Sequence, residues 1–131
     1  MKIVVTGGSG FVGRALCRSL VRQGMSVTVL SRNPLQAKAM LDPSIKVVEW
    51  DGVTSGPWEN ELDSATAVIN LAGAPIAEGR WTPKRKQLIV DSRVNVTRLL
   101  VQAISRLRNK PRVLISASGI GYYGASDDRV L

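Results

Sequence analysis

Two kinds of apolar pattern alternate along the chain. Short runs of consecutive apolar residues are typical of buried parallel strands, and apolar residues recurring every three or four positions are typical of amphipathic helices. The first pattern predicts strands at residues 2–6, 26–30, 45–49, 66–71 and 112–117. The second predicts helices at residues 11–23, 34–41 and 82–107, with a single helical turn at 57–62.

This alternation predicts an α/β fold, in which a doubly wound parallel sheet of about five strands carries helices on both faces. We expect one domain over residues 1–131, with strand order 3-2-1-4-5. The sequence ends shortly after the fifth strand on a polar segment, which would leave that strand as an open sheet edge. We therefore interpret the chain as a fragment that lacks the last strands and a substrate lobe, and the open edge could support oligomerisation.

The first helix has a clear two-sided pattern. Its apolar side is predicted to contain Val12, Leu16, Leu20 and Val21. Its solvent side is predicted to contain Arg14, Arg18 and Arg22. Cys17, the single cysteine, lies between apolar neighbours and is interpreted as a small buried hydrophobe. One Cys and no His exclude an intramolecular disulfide and give no metal cluster.

A glycine-rich loop joins the first strand to this helix. Gly7, Gly10 and Gly13 are spaced three and three. The first allows a tight turn, the second lets the backbone approach a pyrophosphate, and the third lets the helix pack closely on the sheet. The helix N-terminus would then offer free N–H groups to an anion. The loop thus predicts dinucleotide binding, and Phe11 and Val12 in the first turn are included among the cofactor-binding residues.

A nucleotide-triphosphatase phosphate loop is the nearest rival interpretation of these glycines. Residues 8–13 have its glycine spacing, but Arg14 and Ala15 stand where that loop needs Lys and Ser or Thr. The lysine that would bind the terminal phosphates and the hydroxyl that would bind magnesium are both missing, so this interpretation is rejected.

Further segments resemble one family. Asn70-Leu71-Ala72-Gly73 follows the fourth strand, and Arg80-Trp81-Thr82-Pro83 and Asp91-Ser92-Arg93 lie around the start of the long helix. Residues 116–124 read SASGIGYYG after the fifth strand. With the glycine spacing, these segments resemble the atypical extended short-chain dehydrogenases/reductases, in particular the bacterial NAD(P)-dependent "epimerase family", some members of which carry a cell-division-inhibitor label. The resemblance covers essentially the whole chain and implies a Rossmann-type fold.

The end of the second strand indicates which dinucleotide is preferred. An acid at this point would bind the ribose 2′-hydroxyl of NAD, but the sequence has Ser31 and Arg32, which suit a 2′-phosphate. We therefore predict NADP(H) over NAD(H). The alternative is that Arg32 stacks on adenine or faces solvent.

Three further positions follow strand ends near the expected cofactor. The resemblance implies that Asp51 contacts the adenine amino group, and a turn-forming Asp before Gly52 explains it equally well. Leu71, Ala72 and Gly73 follow the fourth strand, where small residues allow close approach to the cofactor.

The resemblance also implies a Ser with a Tyr-x-x-x-Lys pair as the catalytic groups. Ser118 is the best match for the serine, with Ser116 as a fallback, although Ser118 could simply cap a turn. The tyrosines are Tyr122 and Tyr123, and four residues after them stand Ser126 and Asp127, so this sequence contains no such pair. Tyr122 and Tyr123 either line the substrate pocket or pack under another lobe.

The net charge of +8 is concentrated in one segment. Residues 80–112 hold ten of the eighteen Lys and Arg residues and one of the ten acids. The segment has no nucleic-acid motif and no interleaved aromatics, so we interpret it as a solvated helix face or half of an interface, without a specific nucleic-acid partner. Trp50, Trp58 and Trp81 are scattered singly and are interpreted as packing residues.

No apolar run is long enough to span a membrane and the first residues do not resemble a signal peptide, so a cytoplasmic location is expected. The sequence as a whole predicts the NADP(H)-binding half of a nucleoside-diphosphate-sugar epimerase or reductase-like protein, which binds cofactor without turnover and takes a small-molecule substrate when complete. A non-catalytic dinucleotide-binding regulatory module, for example one related to cell division, is the alternative.

Overall fold

The computed structural model describes residues 1–72 and 82–117. Its five strands are β1 (Lys2–Thr6), β2 (Ser26–Ser31), β3 (Lys46–Glu49), β4 (Ala67–Asn70) and β5 (Val113–Ser116). Its helices are α1 (Phe11–Arg22), α2 (Pro34–Met40) and α3 (Pro83–Ser105), and Pro57–Leu62 forms a short 3₁₀ helix. Each predicted element is present, and its ends differ from the predicted ones by at most two residues.

The five strands form one parallel sheet in the order β3-β2-β1-β4-β5. This confirms the predicted α/β fold and strand order. In the register, Thr6 at the end of β1 lies beside Leu30 and Asn70, and Asn70 lies beside Ser116. The carboxyl ends of four strands therefore meet at one edge of the sheet, where ligands bind in open parallel sheets.

Helices cover both faces of the sheet because successive strand residues point to opposite sides. Ile3 and Val5 of β1 belong to a core cluster with Cys17 and Leu20 of α1. Val4 points the other way, into a cluster formed with α3 and the 3₁₀ helix. That second cluster contains Trp50 and Trp58, whose rings meet edge to face with centroids 5.1 Å apart. The packing roles predicted for these two tryptophans are confirmed, and Trp81 lies outside the described residues.

The predicted apolar side of α1 is partly wrong. Gly13, Cys17 and Leu20 are its buried residues, whereas Val12 is 63% exposed. With about 100° of rotation per residue, a stripe centred on Gly13 places Val12 and Arg14 at similar angles on its two sides. Arg14 is accordingly not fully on the solvent side, because its Nε atom is buried.

The long helix α3 starts as the sequence predicts. The Thr82 hydroxyl accepts a hydrogen bond from the Arg85 N–H at 3.1 Å, and Pro83 occupies the first turn. Its residues Val96, Leu99, Leu100 and Ala103 are buried against the sheet. Among the described residues, neither α3 nor any other helix has the length and apolar character needed to cross a membrane.

Candidate dinucleotide site

The loop from Gly7 to Gly13 is closed by contacts that leave no room for side chains. Gly7 has φ +68°, and a Cβ there would lie 2.7 Å from the Leu71 carbonyl. A Cβ on Gly13 would lie 2.2 Å from the Gly7 carbonyl oxygen. The tight turn predicted at Gly7 is thus confirmed. The close contact at Gly13 is made with the loop backbone rather than with the sheet, because α1 begins directly above that loop.

Gly10 differs from its two neighbours in the motif. A Cβ at Gly10 would meet only the Gly7 carbonyl oxygen, at 3.4 Å, so the protein itself does not require glycine there. Gly10 is the N-cap of α1, provides no side chain to cap it, and no acidic residue lies in the first turn. The N–H groups at the start of α1 are therefore available to an external acceptor.

Gly8 is a structural requirement that the spacing argument missed. A Cβ there would lie 2.8 Å from Cγ2 of Val29 and 3.3 Å from the Cys17 sulfur. Gly8 thus lets β1, α1 and β2 close together, and the run of two adjacent glycines was the available sequence signal. Burial in this cluster raises the pKa of the Cys17 thiol to about 11, which agrees with the inert role predicted for it.

A cleft of about 770 Å³ opens along the carboxyl edge of the sheet. This volume lies within the range of small-molecule and cofactor sites. The cleft brings together seven of the predicted cofactor-binding residues: Gly7, Gly10, Ser31, Arg32, Asp51, Leu71 and Ala72. Phe11 and Val12 are exposed in the first turn of α1 and Gly13 is buried against the loop, so these three do not line the cleft. Gly73 lies outside the described residues.

The β2 end of the cleft is a polar corner. The Ser31 hydroxyl accepts a hydrogen bond from the Asn33 N–H at 3.0 Å, and Asn33 in turn caps α2. Arg32 is exposed, and its guanidinium makes no hydrogen bond or ion pair within the parts of the chain that the structure describes. A free cation and a hydroxyl thus border this end of the cleft, and the acid typical of NAD binding is absent from the sequence between residues 31 and 33.

Asp51 lies shortly after β3 and lines the same cleft. Its carboxylate accepts hydrogen bonds from the Val53 and Thr54 N–H groups, both at 2.8 Å, and from the Thr54 hydroxyl at 2.6 Å. These bonds, the Thr54 hydroxyl first, lower the pKa of Asp51 to about 2. The turn-forming interpretation is therefore confirmed. Because Asp51 also lines the cleft, a contact with adenine stays a prediction.

Asn70 connects the strand ends beneath the cleft. Its Oδ1 accepts hydrogen bonds from the Thr6 hydroxyl at 2.6 Å and the Ala72 N–H at 3.2 Å. Its Nδ2 donates to the Ser116 hydroxyl at 3.2 Å and the Thr97 hydroxyl at 3.3 Å. Ser116, the fallback catalytic serine, is therefore part of the network that holds β5 to β4.

The remaining catalytic predictions cannot be compared with the structure. Ser118, Tyr122 and Tyr123, together with Arg80 and Trp81, lie outside the described residues. In the described part, no group of three or more His, Cys, Asp or Glu side chains could hold a metal ion.

The sequence reasoning missed one wall of the cleft. Residues at intervals of three or four along α3 line it: Leu88, Asp91, Asn95, Arg98 and Gln102. Their spacing shows that they share a helix face. Because this face is mostly polar, the sequence predicts that it is exposed to solvent. Only the position of α3 beside the loop after β3 makes this face a wall of the cleft.

Comparison with known proteins shows the family of this chain. The profile of the NAD-dependent epimerase/dehydratase family matches residues 3–130. The chain belongs to the NAD-dependent epimerase/dehydratase family. Among curated members, Epimerase family protein YfhF of Bacillus subtilis is 44% identical over 126 residues, which cover 96% of this chain and 40% of that protein.

Solved structures of short-chain dehydrogenase/reductase epimerases have the same fold. The human epimerase family protein SDR39U1, isoform 2, crystallised with NADPH, superimposes with a TM-score of 0.74 at 32% identity. The match covers 96% of this chain and 39% of the human one. A UDP-galactose 4-epimerase superimposes with a TM-score of 0.77 at 26% identity, covering 97% and 41%. The chain thus spans about 40% of the length of these family members.

Proposed function

We propose that this chain binds NADP(H) in preference to NAD(H), as the cofactor-binding part of an epimerase or reductase. The observation that carries the proposal is the convergence of the glycine loop, the Ser31–Arg32 corner and the Asp51 turn on one cleft. The NADPH in the human relative's structure supports the same cofactor.

The residues present fit the parts of a dinucleotide. The uncapped N–H groups at the start of α1, together with the open space at Gly10, suit a pyrophosphate. Ser31 and Arg32 offer a hydroxyl and a cation to a 2′-phosphate. Asp51 borders the space for adenine, and Leu71 and Ala72 follow β4 toward the centre of the sheet edge. When bound, a nicotinamide dinucleotide supplies reversible hydride transfer.

The substrate class is a sugar nucleotide or another small carbonyl compound. The UDP-galactose 4-epimerase among the structural neighbours supports the first. Ser118 is the proposed catalytic serine. Because the sequence has no Tyr-x-x-x-Lys pair, we expect the chain to bind cofactor without turnover. We expect it to do so in the cytoplasm. The comparisons give no support to the alternative of a non-catalytic regulatory module.

Calorimetric titration of the chain with NADPH and NADH tests the cofactor preference. We expect tighter binding of NADPH, and Arg32→Ala should reduce its affinity roughly tenfold or more, as for the loss of a charge-assisted hydrogen bond. Arg22→Ala, at the far end of α1, is the matched control and should leave both affinities unchanged. Tighter NADH binding that Arg32→Ala does not alter would contradict the proposal.

A separate assay tests the catalytic part. Purified chain with NADPH and a panel of UDP-sugars and small ketones should show no substrate-dependent NADPH oxidation. Any such oxidation would contradict the expectation that this chain alone does not turn over.

A further inference from the structure

Arg14 is a basic residue that the proposed cofactor contacts leave unused. It follows Gly13 directly, in the first turns of α1, and its N–H donates to the Gly10 carbonyl at 2.9 Å. Its Nε atom is buried and has no hydrogen-bond partner among the residues that the structure describes. A buried guanidinium N–H without an acceptor is costly, so this atom calls for an explanation.

The packing of α1 on β2 gives the position of Arg14. Cys17 and Val29 both contact the place where a Gly8 Cβ would lie, so these two residues face each other between helix and strand. The helix of a βαβ unit runs antiparallel to its strands, so a step toward the start of α1 is a step toward the end of β2. Arg14 precedes Cys17 by about 4.5 Å of helix, and Ser31 follows Val29 by about 6.6 Å of strand. The Cα atom of Arg14 therefore lies at about the level of the Ser31–Arg32 corner.

The Arg14 side chain makes no hydrogen bond or ion pair with the residues that the structure describes around it. It lines a crevice of about 180 Å³ between α1 and the end of α2, with Arg18, Met40 and Asp42 among the other lining residues. The Asp42 carboxylate of this crevice accepts two hydrogen bonds at Oδ1, from the Ser44 N–H at 2.9 Å and the Ser44 hydroxyl at 2.6 Å, and it forms no ion pair with Arg14.

We propose that Arg14 is a second specificity-determining cation for the 2′-phosphate, acting from α1 beside Arg32. This inference rests on the proposed function, since it needs a dinucleotide in the cleft. A 2′-phosphate at the end of β2 would give the Arg14 guanidinium the anionic acceptor that it lacks. Two arginines on different elements would then distinguish NADP(H) from NAD(H), and the preference would not depend on exposed Arg32 alone.

The test compares two pairs of ligands that differ only in the 2′-phosphate: 2′,5′-ADP against ADP, and NADPH against NADH. Affinities are measured by calorimetry for the unaltered chain and for Arg14→Met, which keeps the apolar stem and removes the cation. We expect Arg14→Met to weaken 2′,5′-ADP and NADPH binding roughly ten- to a hundredfold and to leave ADP and NADH within about twofold. Arg14→Lys should retain part of the preference.

Arg18→Met is the matched control. Arg18 lines the same crevice one helical turn farther from the Ser31–Arg32 corner, so its loss should leave the preference unchanged. Thermal unfolding of each variant, followed by circular dichroism, verifies that it is folded before its affinities are compared.

The possible outcomes separate the two proposals. Selective loss of 2′-phosphate binding in Arg14→Met, with Arg18→Met unaffected, supports the role of Arg14. An unchanged preference in Arg14→Met, or equal weakening of all four ligands, overturns that role while leaving NADP(H) binding intact. If the unaltered chain binds neither dinucleotide, the proposed function itself fails.

Discussion

The Thr6 hydroxyl donates a hydrogen bond of 2.6 Å to Oδ1 of Asn70 across the ends of β1 and β4, in the interior of the protein. Both side chains also bind the Ala72 N–H, which directs the chain as it leaves β4. One buried network thus sets the sheet edge and the start of the loop that borders the cleft.

Thr6→Val removes this hydroxyl while keeping the shape of the side chain. Because Asn70 and Ala72 each lose a partner in a buried site, we expect a loss of about 1–3 kcal/mol in the free energy of unfolding, measured by urea denaturation. Thr28→Val is the matched control, since Thr28 is buried in β2 and lies outside this network. If the two substitutions lowered the free energy of unfolding equally, the network would contribute no stability beyond that of any buried threonine hydroxyl.

Gly13→Ala and Gly10→Ala should separate folding from binding within one loop. The Gly13 Cβ would lie 2.2 Å from the Gly7 carbonyl oxygen, so we expect overpacking to cost about 1–3 kcal/mol or more in stability. The Gly10 Cβ has only a 3.4 Å contact, so Gly10→Ala should fold normally and bind dinucleotide more weakly. Thermal melts and calorimetry check the two properties. A stable Gly13→Ala, or an unaltered affinity in Gly10→Ala, would contradict the roles assigned here.

Ser31→Asp should shift the cofactor preference toward NADH. An aspartate can still accept the hydrogen bond from the Asn33 N–H, so the turn should persist. Its charge would repel a 2′-phosphate and suit a ribose 2′-hydroxyl. We expect the ratio of NADPH to NADH affinity to fall roughly tenfold or more. Ser26→Asp, at the other end of β2, should leave the ratio unchanged.

The Asp51 turn should give the protein a measurable sensitivity to acid. The pKa of Asp51 is lowered from 3.8 to about 2, so its contribution to stability is complete above about pH 4 and is lost as the pH falls toward 2. The bonds to Ser44 also lower the pKa of Asp42, so the contribution of Asp42 to stability is likewise lost as the pH falls. Carboxyl-carbon NMR titration should show Thr54→Val raising the pKa of Asp51 and leaving that of Asp42 unchanged. An unmoved Asp51 would mean that the Thr54 hydroxyl is not the main cause.

Cys17 should resist thiol reagents in the folded protein. Its thiol is buried and its pKa is raised from 9.0 to about 11, so little thiolate is present or accessible at pH 8. We expect labelling by a disulfide reagent to be slow in buffer and fast in denaturing urea. If Gly13→Ala loosens the packing of α1 on the sheet, Cys17 should be labelled faster in that variant. Rapid labelling of the native chain would contradict the burial of Cys17 between α1 and β2.

Much of the fold was readable from local patterns because each pattern corresponds to one physical cause. Pro83 after a capping Thr82 marked the start of α3, and β-branched runs marked the strands. The exposure of Val12 was not readable, because it depends on which line of α1 faces the sheet, and Gly8 and Gly13 set that approach. Likewise, the polar face of α3 became a cleft wall only through its position beside the loop after β3.

The sequence by itself determined the order of strands and helices, the family, and the residue types at the glycine loop and at Ser31–Arg32, because these follow from periodicity and from what each side chain can do. Only the tertiary structure decided that Ser116 is held in the Asn70 network, that the polar face of α3 lines the cleft, and that the Arg14 Nε–H is buried without a partner among the described residues. These facts depend on which elements lie side by side, and contacts between residues far apart in the chain leave no periodic trace in it.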